Sequence, residues 1–162
     1  MSKWLVLIAA MVALSGCSSK FKTYDGPEVT RVVVYKDARK MYLMHNDAVL
    51  VEHEIELGFA PGGHKRFEGD GRTPEGRYLI DRRNPNSSFH LSLGISYPNP
   101  QDVEVARAAG RSPGGDIFIH GQAPLIGKRG ADWTAGCIAV PNDEMEWIYA
   151  MVQNGTVIDI YP

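Results

Sequence analysis

The chemistry in this chain is concentrated in two short stretches, Ile117-Phe118-Ile119-His120-Gly121 and Thr134-Ala135-Gly136-Cys137-Ile138-Ala139-Val140. A thiol performs acyl chemistry when a base takes its proton and amide N–H groups meet the developing oxyanion. His120, delivered by three large apolar residues to a glycine turn, is the candidate base. A histidine on its own is more often structural, but this one has a thiol to serve. Neutral imidazole beside Cys137 gives either a thiolate–imidazolium pair or general-base attack. Gly136 lets the backbone turn closely beside the nucleophile, so the amides of Gly136 and Cys137 are candidates for the oxyanion site.

The other cysteine belongs to an address. Lys3 supplies a positive charge, Trp4 to Leu14 is an unbroken apolar run, and Leu14-Ser15-Gly16-Cys17 follows. The run falls short of the roughly 20 apolar residues needed to span a bilayer. It fits the core of a signal peptide. Leu-Ser-Gly-Cys resembles the bacterial lipobox, in which the cysteine is lipidated and becomes the new N-terminus. Ser18 after it resembles the pattern sorted to the outer membrane of Gram-negative bacteria, with the domain facing the periplasm. An ordinary cleavage near Gly16 with an incidental cysteine is the alternative. Export implies an oxidising compartment, where paired cysteines form disulfides. Lipid on Cys17 leaves Cys137 without a partner, and catalysis is the best reason to keep a lone thiol there. A small buried hydrophobe and a Cys17–Cys137 bridge are the competing readings.

Residues 1–16 thus read as signal peptide, 17–30 as lipidated cysteine and short tether, and 31–162 as one domain of sufficient length for a proper core. A net charge of −2 with scattered basic residues excludes a nucleic-acid partner. Arg31–Tyr35, Met41–His45 and Ala48–Leu57 read as strands, with Asn46-Asp47 as a hairpin turn. In the third, Val49, Val51, His53, Ile55 and Leu57 share an apolar face, and Glu52, Glu54 and Glu56 a solvated one. Gly58–Gly76 reads as a long loop, and Tyr78–Arg82, Phe89–Leu93 and Ile117–His120 as further strands. Gln101–Ala109 is a short Ala-rich helix candidate. The stronger helix follows Pro141, with Asn142 as N-cap and Met145, Ile148, Tyr149 and Val152 as its buried stripe. Thr156–Tyr161 closes the chain as a strand. The outline is mainly β.

His120-Gly121, a spacer, and then Thr134-Ala135-Gly136-Cys137 resemble the L,D-transpeptidase catalytic domain, or YkuD domain, whose pattern is His-Gly followed by Ser/Thr-x-Gly-Cys. Thr73-Pro74-Glu75-Gly76-Arg77-Tyr78-Leu79-Ile80 resembles its Thr-Pro-x-Gly segment. Ser92-Leu93-Gly94-Ile95-Ser96-Tyr97-Pro98-Asn99 and Asp132-Trp133-Thr134 are similar to an exported murein L,D-transpeptidase-like subgroup. The resemblance covers Arg31 to Tyr161. It implies a β-sandwich or barrel-like fold, peptidoglycan stem peptides as substrate, Cys137 as nucleophile, His120 as base and the Gly121 backbone carbonyl as the group orienting it. The acceptor it implies is an amine: another stem, a D-amino acid or a wall-linked lipoprotein. It implies no cofactor, and the five histidines do not fall into metal-ligand spacing.

The chain departs from the family in two places. Ala139 stands where many members carry Arg, and Ala135 where many carry His. Lys128, Arg129 or Arg111 could substitute for the arginine, and Asp132-Trp133-Thr134 could solve the same loop geometry. Tyr97, Arg111, Arg129, Trp133 and Thr134 are the candidate substrate-binding residues, Trp133 and Tyr97 being equally readable as packing. Two other outcomes stay open. One is an amidase that releases a wall-linked lipoprotein or cross-link, the other a non-catalytic wall-binding lipoprotein.

Overall fold

A computed structural model of the chain describes residues 19–122 and 131–162. Eight strands and two helices follow in the order β1 (Arg31–Tyr35), β2 (Lys40–His45), β3 (Ala48–Glu54), β4 (Gly76–Asn84), β5 (Ser92–Ile95), α1 (Pro100–Ala108), β6 (Phe118–His120), β7 (Ile138–Ala139), α2 (Asn142–Met151) and β8 (Val157–Tyr161). The strands form one curled sheet in the order β3-β2-β1-β8-β4-β5-β6-β7. Its two ends meet. Just past β3, Glu56 exchanges both backbone hydrogen bonds with Ala139 of β7, at 2.9 and 2.8 Å, and Gly58 bridges to Thr134. The mainly β, barrel-like architecture expected from sequence is the one observed.

Alternation explains which side chains fill the interior. Val32 and Val34 of β1, Met41 and Leu43 of β2, and Ile158 and Ile160 of β8 are buried, as period-two patterning requires. The helical stripe Met145, Ile148, Tyr149 and Val152 packs into the same core. β3 ends at Glu54, short of the expected Leu57; the alternation continues from His53 through Ile55 and Leu57 beyond it, but Val49 is exposed. A register shift between Leu43 and Met44 causes this, because an extra residue turns the start of β3 outward. Glu52 and Glu54 are solvated as expected and reach Lys40. Glu56 is not; half-buried, its Oε2 accepts the Asp132 backbone N–H at 2.5 Å. The strand expected at Phe89 begins only at Ser92. α1 lies one residue N-terminal of its expected span and opens with a capping box between Asn99 and Asp102.

The segment read as a tether lies, from residue 19, against the body. Lys20 Nζ donates to the carbonyls of Pro85 (2.6 Å) and His90 (3.2 Å), and Lys22 pairs with Glu146 at 3.0 Å. Cys17 and the signal segment lie outside the described residues.

Buried cations hold the long loop between β3 and β4. Lys36 Nζ donates to Gly63 O, Thr73 O and Glu75 Oε1, satisfying its three hydrogens. Asp70 accepts from the backbone N–H groups of Arg66, Phe67 and Arg72 and from Lys65 Nζ. Burial alone would push its carboxyl up; the donors win and hold it at about 2. A depressed carboxylate contributes stability that is present above its unfolded value and lost as pH falls through about 2. The contribution is about 2 kcal/mol. Melting curves between pH 5 and pH 2 are expected to fall less steeply for Asp70→Asn than for the native chain, and parallel curves would refute the linkage.

Candidate active site

β6 ends on His120, and β7 begins one residue after Cys137. The two strands are parallel neighbours, with Ile119 opposite Ile138 and His120 opposite Ala139. Side chains alternate, so Cys137, two residues before Ala139, falls on the face that carries His120. The register sets the turn that carries Cys137 beside β6, so the two stretches that sequence spacing singled out are neighbours in the sheet.

The imidazole is held on several sides. His120 is 4% exposed, and its Nδ1 lies 2.6 Å from the Gly121 carbonyl oxygen. A carbonyl only accepts, so the ring proton sits on Nδ1 and Nε2 is the basic nitrogen. Phe89 lies against the ring with centroids 4.5 Å apart, and Trp133 meets it edge-on at 5.7 Å. Trp133 therefore packs on the candidate base. Phe89 was missed from sequence. It occupies the turn before β5, and no periodicity in the chain points it toward His120.

The turn leading to the thiol is built by Thr134. Its hydroxyl donates to the Cys137 carbonyl at 2.7 Å and accepts from Gly136 N–H at 3.1 Å. Gly136 has φ +133°, a region open to glycine. Cys137 is a half-buried free thiol whose Sγ lies 3.5 Å from the Asp116 carbonyl, as donor. Burial pushes the thiol up, the Phe118 backbone N–H pulls it down, the Asp116 charge raises it and Lys65 lowers it; the balance is upward. A raised thiol favours general-base attack over a preformed ion pair. Iodoacetamide labelling followed by intact mass is expected to accelerate with pH up to and beyond the ordinary thiol value of about 8.5. A rate already flat from about pH 6 would show a stabilised thiolate instead.

The remaining candidates scatter. Tyr97 is 4% exposed, with its hydroxyl donating to Pro113 O at 3.0 Å. Burial, then the charges of Asp102 and Asp70, raise that phenol well above its ordinary value, so Tyr97 is a core residue. Arg111 is exposed and stacks its guanidinium 4.2 Å over the Phe67 ring. Thr134 is buried and serves the turn. Lys128 and Arg129 lie outside the described residues.

Ala139 is 1% exposed inside the Glu56 ladder. Loop support comes instead from Arg39, at the end of the β1–β2 turn. Its Nε and Nη2 grip the Asp132 carboxylate at 2.9 and 2.6 Å, while Asp132 Oδ1 also accepts Leu57 N–H at 3.0 Å. That bond to Asp132 is the main cause of a raised Arg39. Asp132, Glu56 and Leu57 thereby fasten the start of the Trp133–Cys137 segment to the strand beyond β3.

The sequence model of the YkuD family, the L,D-transpeptidase catalytic domain, matches residues 29–160. The chain belongs to this family. YafK of Escherichia coli strain K12, classed with the L,D-transpeptidases, is 30% identical over 109 residues, which is 62% of this chain and 39% of YafK. Among solved structures, the helical cell shape determining protein Pgp2 from Campylobacter jejuni is 28% identical with a TM-score of 0.63, covering 85% of this chain and 49% of Pgp2. An L,D-transpeptidase from Mycobacterium smegmatis superposes with a TM-score of 0.55 at 17% identity, over 83% of this chain and 59% of that one, a likeness of fold. The YkuD domain described here thus spans about half the length, or less, of YafK and Pgp2.

Proposed function

We propose that this domain is a peptidoglycan cysteine acyltransferase, an L,D-transpeptidase that works through a thioester. The observation that carries the reading is the Nδ1–H bond from His120 to the Gly121 carbonyl, which suits Nε2 to the role of base for a thiol beside β6. Nε2 takes the thiol proton as Sγ attacks the carbonyl carbon of the third stem residue. The amide C–N bond then breaks, the departing D-alanine amine takes the proton from His120, and the acyl group stays on sulfur. An acceptor amine attacks the thioester next, giving its proton to His120; the C–S bond breaks, and the leaving sulfur takes that proton back from His120, which restores the thiol and the neutral imidazole. The oxyanion donor is the Cys137 amide, since Gly136 N–H is committed to Thr134. Cys137, His120 and Gly121 are thus the working set, with Thr134 and Trp133 shaping it and no cofactor required.

Family membership supports peptidoglycan stem peptides as the substrate class, and Pgp2 is by its description a cell-shape protein. Lipidation at Cys17 would anchor the domain at the outer membrane, facing the periplasm. Among the described residues no helix is long and apolar enough to cross a membrane.

Incubation with defined tetrapeptide muropeptides tests the proposal by intact mass. The expected result is a thioester adduct on Cys137 with loss of D-alanine, discharged by a D-amino acid, a second stem or a wall-linked lipoprotein. Products carrying only water would assign a hydrolase. No adduct from a folded native chain would overturn the reading, and binding to sacculi alone would then make it a non-catalytic wall-binding protein.

A further inference from the structure

Asn142 is a good helix cap by residue type, yet it caps nothing. Pro141 occupies the N-cap of α2 with no side-chain bond, and Asn142 is already the first helical residue. Its Oδ1 instead accepts the backbone N–H of Gln122 at 2.7 Å. That N–H belongs to the same planar peptide group as the Gly121 carbonyl, whose oxygen accepts from His120 Nδ1. One amide is therefore bonded at both ends, to the imidazole through oxygen and to Asn142 through nitrogen. The approach is close as well. A Cβ on Gly121 would lie 2.4 Å from Asn142 Oδ1 and 2.9 Å from the Phe89 carbonyl, so only glycine admits this arrangement.

We propose that Asn142 is a positioning residue for His120, acting through the Gly121–Gln122 peptide to keep the ring proton on Nδ1 and Nε2 basic. Two physical effects support it. A peptide whose N–H is bonded becomes a better acceptor at its own carbonyl, so the Asn142 bond strengthens the one that selects the tautomer. The other effect is mechanical. The peptide lies at the end of β6, and Asn142 ties it to α2, which is anchored by buried Met145 and Ile148. A rigid element thus holds the orienting carbonyl in place. The catalytic consequence rests on the thioester reading above, whereas the tautomer consequence does not.

The test joins a kinetic and a spectroscopic readout on the full chain. Asn142→Ala is expected to slow thioester formation about tenfold or more, a fraction of what a positioned base contributes. In 15N-histidine spectra near neutral pH, the native His120 should show one protonated and one unprotonated nitrogen, and the variant should move toward averaging of the two tautomers. Asn142→Asp, which keeps an acceptor at that position, should recover most of both. Should Asn142→Ala fail to fold, Asn142→Leu fills nearly the same space without an acceptor. A native tautomer pattern in either acceptor-less variant overturns the proposal whatever happens to the rate. A native chain that forms no thioester defeats the proposed function instead, and the spectra still decide the relay.

Discussion

Gly136→Ala is expected to lose thioester formation almost as completely as Cys137→Ala, but for a different reason. Removing the sulfur deletes the nucleophile and should leave the melting temperature near its native value. Adding one methyl at Gly136 attacks the scaffold. The residue sits at φ +133°, and its new Cβ would lie 2.6 Å from the Arg72 carbonyl oxygen and 3.3 Å from Ile117 Cδ1. The nearer contact is backbone, so no side-chain rotation relieves it. Either the loop before β4 or the Cys137 turn must move. Strain and clash together should cost about 2–4 kcal/mol. A displacement of about 1 Å at the nucleophile should slow acylation a hundredfold or more. Intact-mass kinetics beside a denaturation curve separates the two substitutions. A Gly136→Ala chain acylating at the native rate would show that the turn is not rigid.

Asp132→Ala is the second large effect, and it should appear first in stability. The carboxylate gathers Arg39 and the Leu57 N–H, and its side chain is 13% exposed. Truncation leaves the Arg39 guanidinium, 34% exposed, without its anion, and removes the acceptor for Leu57. Because water reaches Arg39, stranding its charge and the Leu57 N–H costs about 1–2 kcal/mol rather than the full penalty of a buried pair. The double variant Arg39→Met, Asp132→Ala should therefore be less destabilised than the sum of the two single variants, because the stranded charge is gone. Urea denaturation of all four chains measures this. Strict additivity would mean that the two residues do not act as a unit. The native chain should also acylate faster than Asp132→Ala, since Asp132 anchors the segment ending at Cys137.

Much of this was legible in the chain before any coordinates. Strands showed themselves through alternation and α2 through its apolar stripe, because both periods are imposed by backbone geometry and reported by burial. His120 and Cys137 could be paired because the residue types limit the chemistry and glycines mark the turns. What stayed hidden is long-range. Arg39 and Asp132 are 93 residues apart, and two charged residues on exposed-looking turns give no sign that they meet. Phe89 lies in a turn, where a side chain's direction follows from no repeat. Tyr97 was equally readable as cleft or core, and the curl of the sheet, which sequence does not show, decides for the core. Asn142 was misassigned by one position. Capping needs extended backbone at the junction, and Pro141 supplies that with φ −55° and ψ 151°, which releases the asparagine side chain for Gln122.

The placement of β8 has a consequence for timing. It is the last of the described elements to leave the ribosome, yet it lies in the middle of the sheet, parallel to β1 and antiparallel to β4. Among the described residues, until it arrives, the hairpin strands β1–β3 and the strands β4–β7 are laddered to each other only through the pairing of Glu56 and Gly58 with the cysteine segment. Such non-local pairing forms late and slowly. The two halves of the sheet are therefore laddered together only once Val157–Tyr161 has been made, although β6 and β7, which carry His120 and flank Cys137, can pair before it.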